Sequence, residues 1–230
     1  EASGTEMITV AIRRLDLDDP SQKTLLDYID WSKYHMLPNT AGCATVEEAM
    51  FVARLGREVG KTDFVKLEVI PDPKYLFPDG AATLEAARQL VEDGFTVLPY
   101  IHADPTLAKK LQEAGCATVM PLGSAIGSGQ GIHTIEEIKI IIEQATVPIV
   151  IDAGLAVPSD ASLALELGAD AVLVNSAIAQ AEDPALMAEA FKHGVEAGRK
   201  AYLAGRIAVR QYAAPSSPTT DVPQPVPASS

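Results

Sequence analysis

The chain has 230 residues, 47% of them hydrophobic, which is enough for one large core and allows a single α/β barrel or two smaller domains. A formal charge of −13 with no long basic run argues against nucleic acid and anionic membrane surfaces as partners. No apolar run approaches the ~18 residues of a membrane span and no secretory signal is visible. Cys43 and Cys116 have neither metal nor redox spacing, so a soluble, cytoplasmic protein with reduced thiols is expected.

Apolar, β-favouring runs alternate with helical patterns from end to end. Met7 to Ile12 is the first such run, closing on Arg13-Arg14, and His35 to Thr40 the second. Thr45 then caps a helix reaching about Glu58, with Glu48 at the capping-box position. Phe64 to Ile70 reads as a strand, and Thr83 opens a helix that Asp93-Gly94 ends. Thr96 to Ile101 is the next strand, followed by a helix from Asp104-Pro105 to Gly115. Thr118 to Leu122 precedes a helix opened by Thr134. Val147 to Ala153 precedes one opened by Ser159 or Asp160 and closed by Gly168. Ala171 to Ala179 is the last strand, and Asp183-Pro184 starts a long helix to about Ala204-Gly205.

Strict alternation with short loops predicts a parallel sheet with helical crossovers. Seven strands are one short of a (β/α)8 TIM barrel. Glu1-Ala2-Ser3-Gly4 resembles the end of a helix, so the expectation is such a barrel with its first strand and most of its first helix missing. A doubly wound open sheet is the alternative, but it would normally carry a Gly-rich turn after its first strand. The barrel domain is expected over 1–207 and a Pro/Ser/Thr-rich tail over 208–230, with almost no apolar bulk from Ala213 to Ser230.

Within Phe64-Val65-Lys66-Leu67-Glu68-Val69-Ile70, Lys66 and Glu68 lie two apart and point to one face of an otherwise apolar strand. Parallel strands are covered on both faces, so an amine and a carboxylate would lie inside. Desolvation opposes the ammonium and Glu68 favours it; a buried lysine with a lowered pKa can form imines with ketones or aldehydes. The competing reading is a structural ion pair. Asp152 ends an apolar strand, where it suits a general acid or base, or the N-cap of the next helix. Gly123-Ser124-Ala125-Ile126-Gly127-Ser128-Gly129-Gln130-Gly131 has four glycines whose amides could approach an anion, or it is a flexible lid. It lacks the GK[ST] ending of a nucleotide loop. Ala153-Gly154 and Asn175-Ser176 follow the last two strands, where barrels often hold a substrate phosphate. Arg13-Arg14 could clamp an anion or sit on a solvated rim. The four histidines share no loop and no helical pairing, and no redox or metal cofactor is required by these residues.

Several segments together carry a resemblance to bacterial thiazole synthase. They are Thr9–Arg14, Leu37-Pro38-Asn39-Thr40-Ala41-Gly42-Cys43, Val65–Ile70, Val97-Leu98-Pro99-Tyr100, Val119–Ser124 with Ile126–Gly131, and Ile151-Asp152-Ala153-Gly154. The resemblance runs from about Glu1 to Ile207. It implies a (β/α)8 barrel that makes the thiazole phosphate carboxylate precursor of thiamine. The implied substrates are 1-deoxy-D-xylulose 5-phosphate, dehydroglycine (2-iminoacetate) and the thiocarboxylate of a small sulfur-carrier protein. It implies Lys66 as the imine-forming lysine, Glu68 and Asp152 as acid/base carboxylates, and sugar-phosphate contacts at Gly127, Ala153, Gly154, Asn175 and Ser176. A homo-oligomer is implied as well. Two departures stand out. Ala156 and Val157 replace the usual Gly and Thr after Asp152-Ala-Gly-Leu, and Ser176 stands where Thr is common. Two other readings remain beside it: a Schiff-base aldolase acting on a phosphosugar, and a non-catalytic scaffold that docks the sulfur carrier.

Overall fold

The computed structural model describes residues 1–15 and 23–217. Seven short parallel strands carry the fold: β1 (Met7–Ala11), β2 (His35–Asn39), β3 (Phe64–Leu67), β4 (Thr96–Ile101), β5 (Met120–Pro121), β6 (Val150–Asp152) and β7 (Ala171–Leu173). Strands β1 to β5 pair in chain order, β6 pairs with β7, and bridges Val119–Ile149 and Leu122–Asp152 join the two groups. Register is fixed around the third strand, where Asn39 lies beside Lys66 and Lys66 beside Leu98.

One apolar cluster shows that this sheet is curled. Leu37, Leu98 and Met120 pack with Met7, Phe64, Val150 and Leu173, so every strand contributes a side chain to it. Seven strands laid flat at about 4.8 Å spacing would hold the first and last almost 30 Å apart, too far for a shared cluster. The opposite faces of the same strands, among them Val65, Leu67, Val69, Val97 and Ile151, pack against the crossover helices. Strand parity therefore sorts interior from helix-facing residues, as the period of two requires.

The helices are α1 (Val46–Gly60), α2 (Gly80–Glu92), α3 (Pro105–Glu113), α4 (Ile135–Glu143), α5 (Pro158–Leu167), α6 (Ser176–Ala179) and α7 (Pro184–Ala204). Three caps follow the sequence reading: Thr45 accepts from the Glu48 amide, Asp104 from Thr106 and Leu107, and Asp183 from Leu186. Elsewhere the structure differs. Helix α2 begins at Gly80 on an Asp79 cap, and Thr83 is buried within it. The Ala81 and Ala82 amides both donate to the Asp79 carboxylate, which starts the helix about one turn before Thr83. The expected last strand over Ala171–Ala179 stops at Leu173, because the chain turns at Asn175 into α6. Thr134 does not cap with its side chain; its hydroxyl donates to the Leu122 carbonyl. Residues 205–217 are exposed, and the rest of the expected tail, 218–230, lies outside the described residues. Among the described residues no helix is long and apolar enough to cross a membrane.

Helices α5 and α7 pack closely enough to need glycine. A Cβ on Gly194 would lie 2.6 Å from the Pro158 carbonyl oxygen, and one on Gly198 would overlap the Ser162 carbonyl. Ser162 Oγ also donates to the Gly194 carbonyl at 2.8 Å, fixing the start of α5 and with it the loop after β6. Alanine at 198 gains about 1 kcal/mol of helix propensity but incurs overpacking of about 1–3 kcal/mol against backbone that cannot rotate aside. Gly198→Ala should therefore lower the urea midpoint at unchanged slope; an unchanged midpoint would mean that the two helices can separate freely.

Candidate active site

The inward positions along β3 and the residue just past its end are Phe64, Lys66 and Glu68. Phe64 belongs to the apolar plug, and Lys66 and Glu68 stand above it. On β6 the same parity places Val150 in the plug and Asp152 above it. Curling brings these strands across from each other. Lys66 Nζ lies 2.6 Å from Asp152 Oδ2 and 3.2 Å from Glu68 Oε1. The three side chains are only 6%, 3% and 6% exposed. No other group among the described residues hydrogen-bonds Asp152 Oδ2. The Tyr100 ring lies 5.5 Å from Nζ, within cation–π range, with its hydroxyl buried and unpartnered among the described residues.

Electrostatics decide the balance that the sequence left open at Lys66. Burial opposes the ammonium, but Asp152 and Glu68 outweigh it, so the Lys66 pKa is raised above the ordinary lysine value. The ammonium form of this side chain is thereby favoured, and it becomes a nucleophile only after giving up a proton. Burial raises the Glu68 pKa, against the pull of Lys66. Burial, and then the neighbouring carboxylates, push the Tyr100 hydroxyl upward too, which keeps it protonated.

Above the triad opens a cavity of about 900 Å³. Lys66, Glu68 and Asp152 line it, together with all five expected binding positions: Gly127, Ala153, Gly154, Asn175 and Ser176. The Gly-rich loop is tied at both ends to the loop after β6. The Gly123 amide donates to the Asp152 carbonyl at 2.9 Å, and the Gly131 amide to the Gly154 carbonyl at 2.8 Å. Ala153 and Gly154 both adopt left-handed backbone, φ +63° and +77°. Glycine is required at 154, since a Cβ there would overlap Ser124 Oγ and lie 2.8 Å from the Ser124 amide. Ala153 has no such exemption and holds a conformation costing about 1–3 kcal/mol, a strain that concentrates at functional sites. Ala156 and Gly129 both line the cavity, and a Cβ added at Gly129 would come to 3.7 Å from the Ala156 methyl group.

Arg13 is on the structural side of its two readings. It donates to the Gly42 carbonyl at 2.6 Å and pairs with Glu48, whose carboxylate also takes the Ala44 amide. Glu48 thus holds the strand-to-helix loop and does not close a capping box. Arg14 lines the cavity. The loop after β3 was not singled out by sequence, yet Pro71, Pro73 and Leu76 form part of the wall. Its length and paired prolines, between Leu67 and Gly80, were the available signal.

A curled parallel α/β sheet with a cavity at the strand C-termini is the layout in which α/β enzymes place their sites, and here a lysine between two carboxylates forms the floor. The family model for "Thiazole biosynthesis protein ThiG" matches residues 1–218, and the chain belongs to this family. It is 62% identical to a thiazole synthase of Prochlorococcus marinus, over 96% of this chain and 83% of that protein. A thiazole synthase of Trichodesmium erythraeum is 61% identical, over 96% and 81%. Among solved structures, the crystal structure of the Amycolatopsis orientalis BexX/CysO complex matches with a TM-score of 0.82 and 33% identity, covering 92% of this chain and 86% of that one.

Lys66→Met would leave two buried carboxylates without a counter-charge, a loss of about 3–5 kcal/mol at pH 8. Glu68 would then bind its proton more tightly in the folded than in the unfolded chain, so stability falls as pH rises through its folded value. Urea unfolding of the variant and the parent at pH 8 and pH 5 should show a deficit that narrows at the lower pH. A deficit independent of pH would count against the buried carboxylate pair.

Proposed function

We propose that this thiazole synthase condenses 1-deoxy-D-xylulose 5-phosphate with dehydroglycine and the thiocarboxylate of a small sulfur-carrier protein, through an imine on Lys66. The product is the thiazole phosphate carboxylate precursor of thiamine. One observation carries the reading: Nζ of Lys66 sits 2.6 Å from Asp152 at the floor of a cavity whose walls are the Gly-rich loop and the last two strand ends.

Lys66 first passes a proton to a neighbouring carboxylate, and its free amine adds to the sugar ketone. Loss of water from the carbinolamine forms the imine, which draws electrons from the adjacent C–H bonds and acidifies them. Asp152 and Glu68 stand within reach of the bonds around that nitrogen and move protons during tautomerisation, sulfur addition and ring closure. Glu68, held partly toward its acid form by burial, suits proton donation. The amides of Gly127, Ala153-Gly154 and Asn175-Ser176 hold the phosphate and so keep the ketone carbon near Nζ. The match to a structure solved as a complex of two proteins supports a protein partner. The same proposal takes in a (β/α)8 barrel over 1–207 with a tail over 208–230, a homo-oligomer, and residence in the cytoplasm.

Borohydride reduction with deoxyxylulose phosphate should give a single adduct, located by peptide mass spectrometry on Lys66, and Lys66→Ala should lose it. An adduct of unchanged yield in that variant would reject Lys66 as the imine former. Asp152→Asn removes the nearest charge holding the ammonium, so its adduct should still form while turnover stalls by about 100-fold or more. Turnover without any sulfur-carrier thiocarboxylate would instead favour an aldolase.

A further inference from the structure

We infer that Thr40 is a positioning residue that holds Glu68 against Lys66 by standing in for a missing length of strand. The inference rests on the reading of Lys66 as the imine-forming amine. Strand β2 ends at Asn39, whose pairing with Lys66 is the one ladder contact between β2 and β3. The Thr40 amide then donates to the Lys66 carbonyl at 3.1 Å, and there the backbone pairing stops. Two residues on, Glu68 still has to present its peptide groups to the same side, because its side chain must share a face with Lys66.

Thr40 supplies the partner with its side chain. Its hydroxyl accepts from the Glu68 amide at 2.7 Å and donates to the Glu68 carbonyl at 2.8 Å, both bonds being buried. A hydroxyl has one proton to give, and here it is spent on the same residue from which it accepts. A parallel neighbour would take the donor and the acceptor of Glu68 with two different residues, and here one hydroxyl serves both. The next tie along this edge is the Ile70 amide on the Cys43 carbonyl, at 2.8 Å. Between those two anchors the peptide groups of Glu68 are held by the Thr40 hydroxyl, and Thr40 is fully buried. Glu68 is the longer and looser of the two contacts to Nζ, 3.2 Å against 2.6 Å, so it is the one a backbone shift would break first.

Thr40→Val keeps the shape and deletes the hydroxyl; Thr40→Ser keeps the hydroxyl. With Glu68 displaced, Lys66 retains one carboxylate instead of two and its ammonium is less favoured. NMR titration of the substrate-free protein, labelled at the lysine ε-carbons, should show the Lys66 midpoint lower by about one unit or more in Thr40→Val. In Thr40→Ser the midpoint should match the parent. The valine variant should also lose about 10- to 100-fold in kcat with little change in KM for the phosphosugar, since the phosphate contacts are elsewhere. In a Glu68→Gln background, Thr40→Val should move the Lys66 midpoint no further. A parental midpoint in Thr40→Val, or an equal extra shift in the Glu68→Gln background, overturns the proposal. Thr40→Ala serves the same comparison should the valine variant be recovered unfolded. Failure of the parent protein to form a borohydride adduct would strike the imine reading instead and leave the titration comparison intact.

Discussion

An ammonium and two carboxylates buried together at the floor of a cavity are the constraint around which this molecule is arranged. Such a group is a poor device for stability. Removing three charged groups from water is costly, and their mutual attraction repays it only with close geometry. The geometry here is close, 2.6 and 3.2 Å, and it depends on strands that are distant in sequence. Lys66 comes from the third strand, Glu68 from just past its end and Asp152 from the sixth. They meet because the sheet curls until all seven strands share one apolar plug. Among the described residues the apolar plug lies below the three groups, crossover helices pack on the outer faces of the strands, and the cavity opens above.

The walls of that approach are built from backbone more than from side chains. The loops after β5 and β6 are bonded to each other through Gly123, Gly131 and Gly154, so neither can move without the other. Left-handed backbone at Ala153 and Gly154 turns the chain sharply along the cavity wall immediately after the catalytic candidate Asp152. Close contact at Gly154 with Ser124 leaves no room for a side chain. The arrangement suits an anion that carries its own charge into a site whose positive group is already occupied, because amide dipoles add no further mobile cation near the lysine.

Much of this was legible along the chain. Period-two alternation in Phe64–Ile70 placed Lys66 and Glu68 on one inward face, and the structure bears that out. The carboxylate ending Ile149-Val150-Ile151 and the glycines of 123–131 were visible as strand-end chemistry, and all eight expected positions line one cavity. What misled was local. Thr83 looked like a cap because it precedes an apolar helical run, whereas Asp79, four residues earlier, takes the Ala81 and Ala82 amides and starts the helix a turn sooner. The run from Ala171 to Ala179 looked like one strand because apolar residues of a short strand and of the following helical turn are contiguous. The balance between burial and charge at Lys66 stayed open in the sequence because the second carboxylate, 86 positions away, was not known to be in contact.

Composition and periodicity by themselves determined the class of the fold, the faces of its strands and the residue types at their ends. Those properties depend on neighbours two to four positions apart, which the chain writes out directly. Tertiary structure alone decided which strand ends meet. It set the charge state of Lys66, it turned the Thr40 hydroxyl into a strand substitute for Glu68, and it assigned Arg13 to a loop and not to the cavity. Each of these turns on distances of about 3 Å between residues far apart in sequence, and electrostatic and hydrogen-bond energies change steeply at that range while local sequence pattern carries no record of it.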